Sequence, residues 1–445
     1  MTSDSKKPYS KILMASLEAP HLTGPPVKLL HTSDWHLGKF LLRMKNRNGE
    51  LNSFFTWLLD ILKEEKIDTL LVAGDIFDVY SPSNQSQELY YNFLVNLSRS
   101  SLRDIVITSG NHDSSDFLKA PAELLKLLNI NVVSEIPENL ENELITLSSP
   151  ELGNYLLVAA VPFLKESELR TTQEGETISE RDKLINKATK DHYHQLADLA
   201  QKKRLELQKP TLPIVAMGHL HPDGGTTADG DGTREAYIGA SVRIGAAAFP
   251  ETFDYVALGH MHSPQQFKRC NIRFSGAPLQ MTFNEAGKPK SVTLVTLGEG
   301  KILIETLNIP IFQELVKISG DIDEIRGQIN ALIQKNSKAW LEIIYTGTSA
   351  QNVRALFEDM IKGSELEILT FPNKTALNEL LKNHSTITEI SELVPQEVFR
   401  SFLKTLEVPA EEWDELELAF SEILLAIEES AREQEVSLFT THTLF

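Results

Sequence analysis

The chain has 445 residues, 41% of them hydrophobic and 24% charged, the balance of a globular protein with room for two or three domains. Its formal charge of −19 excludes a protein that coats nucleic acid through bulk electrostatics, though not a nuclease whose bound divalent ions reverse the local field. No apolar run reaches membrane-spanning length, and a single cysteine, Cys270, excludes an internal disulfide and fits a reducing, cytoplasmic setting.

Residues 1–26 lack a signal-peptide pattern and read as an N-terminal extension closed by Pro25 and Pro26. A first strand is expected from Val27, delivering Asp34 and His36, two metal-type ligands with D-x-H spacing at a strand end. The basic run Lys39, Arg43, Lys45 and Arg47 follows, placed to hold backbone phosphates, with an ordinary solvated loop as the alternative. A helix over 50–66 then shows Phe54, Trp57, Leu58, Ile61 and Leu62 on one face. Residues 70–78, LLVAGDIFD, read as a strand buried on both faces, with Asp75 at its C-terminal tip, where α/β sheets hold their ligands. A helix over 85–98 carries more apolar surface than one core face needs, including Tyr91 and Val95, so it either meets another subunit or is deeply buried.

A third strand at 105–108 ends in Gly110-Asn111-His112-Asp113. After a helix at 122–128, strands near 145 and 155–161 and a charged helix over 180–207, a fourth strand at 213–217 delivers His219, with His221 competing for the ligand role. A Gly-rich polar loop, TTADGDG, occupies 226–232. A fifth strand at 254–258 ends in His260 and His262, two imidazoles on one side of an extended segment. From about Pro310 a strand–helix–strand–helix–strand unit reaches residue 370 without ligand clusters, and reads as a separate small α/β domain. A linker at 373–390, two amphipathic helices within 391–434 and a tail at 435–445 complete the chain.

Asp34, His36, Asp75, Asn111, His219, His260 and His262 offer seven N/O ligands and no thiolate, a set suited to two divalent ions such as Mn²⁺, Fe²⁺ or Zn²⁺, with Asp75 bridging. Two ions sharing a bridging hydroxide and a phosphate oxygen hydrolyse phosphate esters, and His112, surplus to the ligand count, is free to protonate the leaving oxygen.

These motifs, with LLHTSDWHLGK, ITSGNHDS, FDYVALGHMHSPQ and FSGAPLQMTFNE, resemble the calcineurin-like metallophosphoesterase family, in its branch of SbcD-type nuclease subunits. The resemblance implies an α/β sandwich of two facing mixed sheets flanked by helices (27–305), a small capping domain (306–372) and C-terminal helices. It implies one ion on Asp34, His36, Asp75 and His262, a second on Asp75, Asn111, His219 and His260, and His112 as the catalytic histidine. Asp78, where some relatives carry a second histidine, receives no catalytic role. Also implied are Mn²⁺-dependent cutting of DNA ends, hairpins and protein-blocked ends, and a coiled-coil ATPase of the SbcC type gripped by the C-terminal helices. The expected assembly is a homodimer within a heterotetramer. The rival readings are a phosphatase or cyclic-nucleotide phosphodiesterase for small substrates, and a non-catalytic scaffold.

Overall fold

The computed structural model describes residues 9–100, 102–171, 176–223, 243–347 and 353–372, with isolated positions between 399 and 421. Two sheets face each other. The first runs in the order Lys11–Glu18, Lys301–Asn308, Ser291–Gly298, Val27–Thr32, Thr69–Ala73, Asp104–Thr108, Ile130–Val133. The second runs in the order Gln265–Phe267, Arg269–Phe274, Tyr255–Gly259, Ile214–His219, Gly153–Ala160, Leu144–Ser149. Both are mixed: the first is antiparallel as far as Val27–Thr32 and parallel from there to Ile130–Val133, and the second has parallel central pairs and antiparallel margins.

The two-residue period of a strand sorts the side chains into layers. Leu70 and Val72 join a cluster with the helices Asn48–Glu64 and Asn84–Ser98, while Leu71 and Ala73 point into the core between the sheets. On the opposite sheet Ile214 and Ala216 meet the long helix Ile178–Glu206, and Val215 and Met217 meet the first sheet. The expected sandwich of two helix-flanked mixed sheets is therefore present, and its central strands are apolar throughout because both of their faces are covered.

Four local expectations change. The folded chain begins before Val27: Lys11–Glu18 pairs antiparallel with Lys301–Asn308, the Tyr9 hydroxyl donates to Glu65 at 2.6 Å, and Leu22 is buried. Thus the stretch read as an extension is an edge strand plus a packed turn. The helix Asn84–Ser98 is neither wholly buried nor wholly open: Tyr90, Phe93, Leu94 and Leu97 are core, while Leu89 and Tyr91 are half-buried and Val95 is exposed. The last strand of the first sheet runs to Asn308, past the expected boundary at 305. The fourth strand carries His219 within itself, because it extends over Ile214–His219.

The chain divides into two compact units between Val316 and Lys317. In the second, strands Leu315–Gly320, Trp340–Tyr345 and Glu367–Thr370 form one sheet with helices Ile322–Gln334 and Val353–Met360, as the sequence pattern requires. The TTADGDG loop, the linker, the tail and most of 391–434 lie outside the described residues. Among the described positions of the last stretch, Phe399 stacks on Phe420 at 4.1 Å and Arg400 pairs with Glu417 at 2.6 Å. Among the described residues no helix is long and apolar enough to cross a membrane.

Candidate metal centre

The C-terminal ends of the parallel strands in both sheets lie at one edge, and the turns leaving them carry the polar residues. From the first sheet come Asp34 and His36, Asp75, and Asn111 with His112; from the second come His219, His260 and His262. The turns are tight. Asp34, His36, Asp75 and His260 all have left-handed backbone, with φ of 54°, 49°, 52° and 98°. Non-glycine residues hold such angles only where the surroundings fix them, a pattern that gathers at functional sites. Gly74 precedes Asp75 at φ 81° and leaves no room for a side chain beside the His219 ring. At Gly259 a Cβ would collide with the Ala73 carbonyl across the two sheets, so glycine there is what lets the strand tips approach.

The side chains converge. Asp34, His36 and His262 form one group of possible ligand atoms, and Asp34, Asp75 and His219 another, all buried. Asp34 belongs to both groups, and Asp75 Oδ2 lies 3.5 Å from His36 Nε2 and 3.4 Å from His219 Nε2, so a single oxygen reaches a histidine of each group. Its other oxygen, Oδ1, accepts from the His112 amide at 2.9 Å. Asn111 Oδ1 lies 3.0 Å from His219 Nε2 and 2.9 Å from His260 Nδ1, so all seven sequence-derived ligand candidates share one locus. His221 belongs to none of the ligand groups; its ring lies 5.3 Å from that of His260 on the wall of the neighbouring cleft.

This donor set fits divalent cations. His219 uses Nδ1–H on the Ala73 carbonyl at 2.9 Å, which leaves Nε2 as a bare lone pair facing the oxygens of Asn111 and Asp75. His36 Nε2 and His262 Nε2 face each other at 3.1 Å. Buried acceptors arranged against acceptors are stable only around a positive charge. The bare protein supplies it with protons. Burial above all pushes the Asp34 carboxyl up to about 7. Burial would also raise Asp75, but the His219 charge and hydrogen bond, helped by His36 and His112, hold it well below the usual carboxylate range. His219 shows the reciprocal effect: burial pulls it down, yet Asp75 lifts it to about 9.

Three supporting residues have roles that sequence reasoning misses. Asp113 accepts from the amides of Ile76, Phe77 and Gly110 at 3.1, 2.9 and 2.8 Å, tying the turn after Asp75 to the turn bearing Asn111. Asp78 places Oδ1 3.2 Å from His36 Nδ1, while its carbonyl accepts from His112 Nδ1 at 2.9 Å. Ser33 donates to Asp34 and meets Ser275 at 2.8 Å. The signals available for the two aspartates are the D-x-x-D spacing and the last position of G-N-H-D.

The basic run divides on inspection. Arg47 is 1% exposed, pairs with Glu50 and donates to the Gln280 carbonyl at 2.9 Å, so it is a buried structural cation and cannot hold a phosphate. Lys39 pairs with Asp78 at 2.9 Å. Arg43 is exposed at the turn of the hairpin formed by Phe40–Leu41 and Lys45–Asn46, and Lys45 is half-buried. Beside the centre a cavity of about 320 Å³ is lined by Phe163, Leu164, Lys165, Arg181 and Tyr193, with His219 and His260 at its rim.

Residues 27–264 match the model of the calcineurin-like phosphoesterases, and residues 311–406 match a model described as the type 5 capsule protein repressor C-terminal domain. The chain is 31% identical to the SbcD component of the SbcCD nuclease of Escherichia coli (strain K12) over 403 residues, 89% of this chain and 98% of that one. It is 34% identical to the SbcD component of the SbcCD nuclease of Bacillus subtilis (strain 168) over 277 residues, 62% of this chain and 67% of that one. The chain is a metal-dependent phosphodiester hydrolase and belongs to the calcineurin-like phosphoesterase family, in the branch of the SbcD nuclease subunits.

Proposed function

We propose that the protein is the nuclease subunit of an SbcCD-type complex, hydrolysing DNA phosphodiester bonds at double-strand ends, hairpins and protein-blocked ends with two divalent ions, preferably Mn²⁺, in the cytoplasm. The observation that carries this reading is the single Asp75 oxygen set between His36 and His219. In it, Asp34, His36, Asp75 and His262 hold one ion and Asp75, Asn111, His219 and His260 the other. Such a pair supplies an activated water and neutralises the phosphate it grips.

The chain's own groups then do the positioning. Asp75 shares one oxygen between the half-sites and spends the other on the His112 amide, which fixes the distance from the centre to the His112 ring. Because His112 Nδ1 donates to the Asp78 carbonyl, Nε2 is the nitrogen left to pass a proton to the leaving oxygen. Arg43 and Lys45, on the hairpin that follows His36, are the candidates for contact with entering backbone phosphates. The second unit serves as a capping domain, and the helices within 391–434 dock the SbcC-type ATPase. The open flank of the helix Asn84–Ser98, Tyr91 and Val95, fits pairing of two copies in a heterotetramer.

Purified protein, alone and with its ATPase, should cut a DNA hairpin in Mn²⁺ and lose that activity in excess chelator. Turnover confined to a small aryl phosphate ester, with hairpin DNA untouched by the complex, would return the assignment to a small-molecule phosphatase.

A further inference from the structure

The ligand histidines are not held alike. His219 is oriented through its outer nitrogen by the Ala73 carbonyl, and His36 Nδ1, though without a well-directed hydrogen bond among the described residues, has Asp78 Oδ1 3.2 Å away. His262 Nδ1 is buried and has no hydrogen-bond partner among the described residues, yet its Nε2 is placed 3.1 Å from that of His36. A ring without an outer hydrogen bond depends on packing, here against the His36 ring 5.0 Å away, and on how its backbone is held.

The backbone is fixed. The His262 carbonyl accepts from the Ala277 amide at 3.0 Å and from the Lys290 ammonium at 2.9 Å, so both of its lone pairs are engaged. Lys290 is 6% exposed and forms an ion pair with Glu285, itself 1% exposed, whose Oε2 also accepts from the Met281 amide at 3.2 Å. A buried ion pair adds little to stability, since well-packed apolar residues often serve at least as well. Here another use is visible. Lys290 immediately precedes the strand Ser291–Gly298, which pairs with Val27–Thr32, the strand that delivers Asp34 and His36. His262 leaves the other sheet, after Tyr255–Gly259. The ammonium thus ties a ligand of the second sheet to the strand beside the ligands of the first. A lone ammonium there would repel a dication; Glu285 makes the pair neutral, so the tie adds no net charge to the centre.

We propose that Lys290 and Glu285 form a positioning pair that sets His262 for the ion it shares with Asp34 and His36. The proposal rests on the ligand assignment above and adds a residue pair outside it. Outer groups that orient a metal ligand typically contribute 10- to 100-fold in metal affinity.

The test is Mn²⁺ titration of the full chain by calorimetry, with low-temperature electron paramagnetic resonance on the loaded protein. The double variant Lys290→Met/Glu285→Gln removes both charges and so leaves no lone buried ion. It should bind one Mn²⁺ within about threefold of the parent and the other about 10- to 100-fold more weakly. At two equivalents its spectrum should change from a spin-coupled pair toward an isolated ion. Two unchanged affinities, or equal weakening of both, would overturn the proposal. Lys290→Gln keeps a neutral donor on a shorter stem and decides the matter if the double variant does not fold. It should show the same one-sided weakening by at least about threefold, and unchanged affinities overturn the proposal there too. His262→Ala is the control for the ligand assignment: if it keeps both ions tight, the assignment fails and not merely the positioning pair.

Discussion

At the residue scale the centre separates groups that hold charge from groups that move it. His112 sits on the main chain beside Asn111, is tied to Asp75 through its amide, and has its Nδ1 occupied by the Asp78 carbonyl. His112→Gln should therefore keep both ions in a calorimetric titration and lose about 10²- to 10⁴-fold in single-turnover DNA cleavage, the range of a general acid. Metal loss on the same scale would make His112 a structural residue instead. The candidate ligand residues are legible in the sequence because each follows an apolar run at its polar end, and strand tips of parallel sheets face one edge. The fate of Arg47 is not legible. Its carbonyl partner Gln280 lies 233 positions away, and nothing in a run of four basic residues says which one the fold will bury. For the same reason Lys290 and Glu285, remote in sequence from His262, carry no local pattern.

At the scale of elements, buried strands declare themselves and edge strands do not. Thr69–Ala73 is buried at all five positions, and its composition says so. Lys11–Glu18 is mostly exposed, with Ile12, Leu13 and Met14 turned to solvent, so its residues lack the alternation of a half-buried strand. Its partner, Lys301–Asn308, lies nearly 300 residues downstream. Removing residues 1–18 should cost about 2–4 kcal/mol through loss of the Tyr9 packing and hydrogen bond and of one ladder, measured by denaturant unfolding. It should also expose Lys301–Asn308 as a bare edge and raise the tendency to associate. Metal affinity should hold, because two strands separate Lys11–Glu18 from the strand leading to Asp34. A variant as stable as the parent would mean that the strand is an appendage after all.

At the scale of the whole molecule, every candidate ligand falls in the unit that ends at Val316. A fragment of residues 1–316 should accordingly bind two divalent ions and hydrolyse bis(p-nitrophenyl) phosphate within about tenfold of the full chain, while failing to co-purify with the ATPase. A fragment that folds but takes up no metal would show that the second unit completes the centre. One further consequence comes from the candidate ligands arriving from two sheets that no strand pairing joins among the described residues. On the proposed assignment, bound ions would clasp the two sheets together at their strand tips, and the spacing they set would bear on turnover. A displacement of one ångström between reacting groups is worth about 10² in rate. Repacking the shared interior at Met217 or Tyr255, which touch no substrate, should thus slow turnover before it lowers stability. The sandwich interior would in this sense be part of the enzyme's gearing.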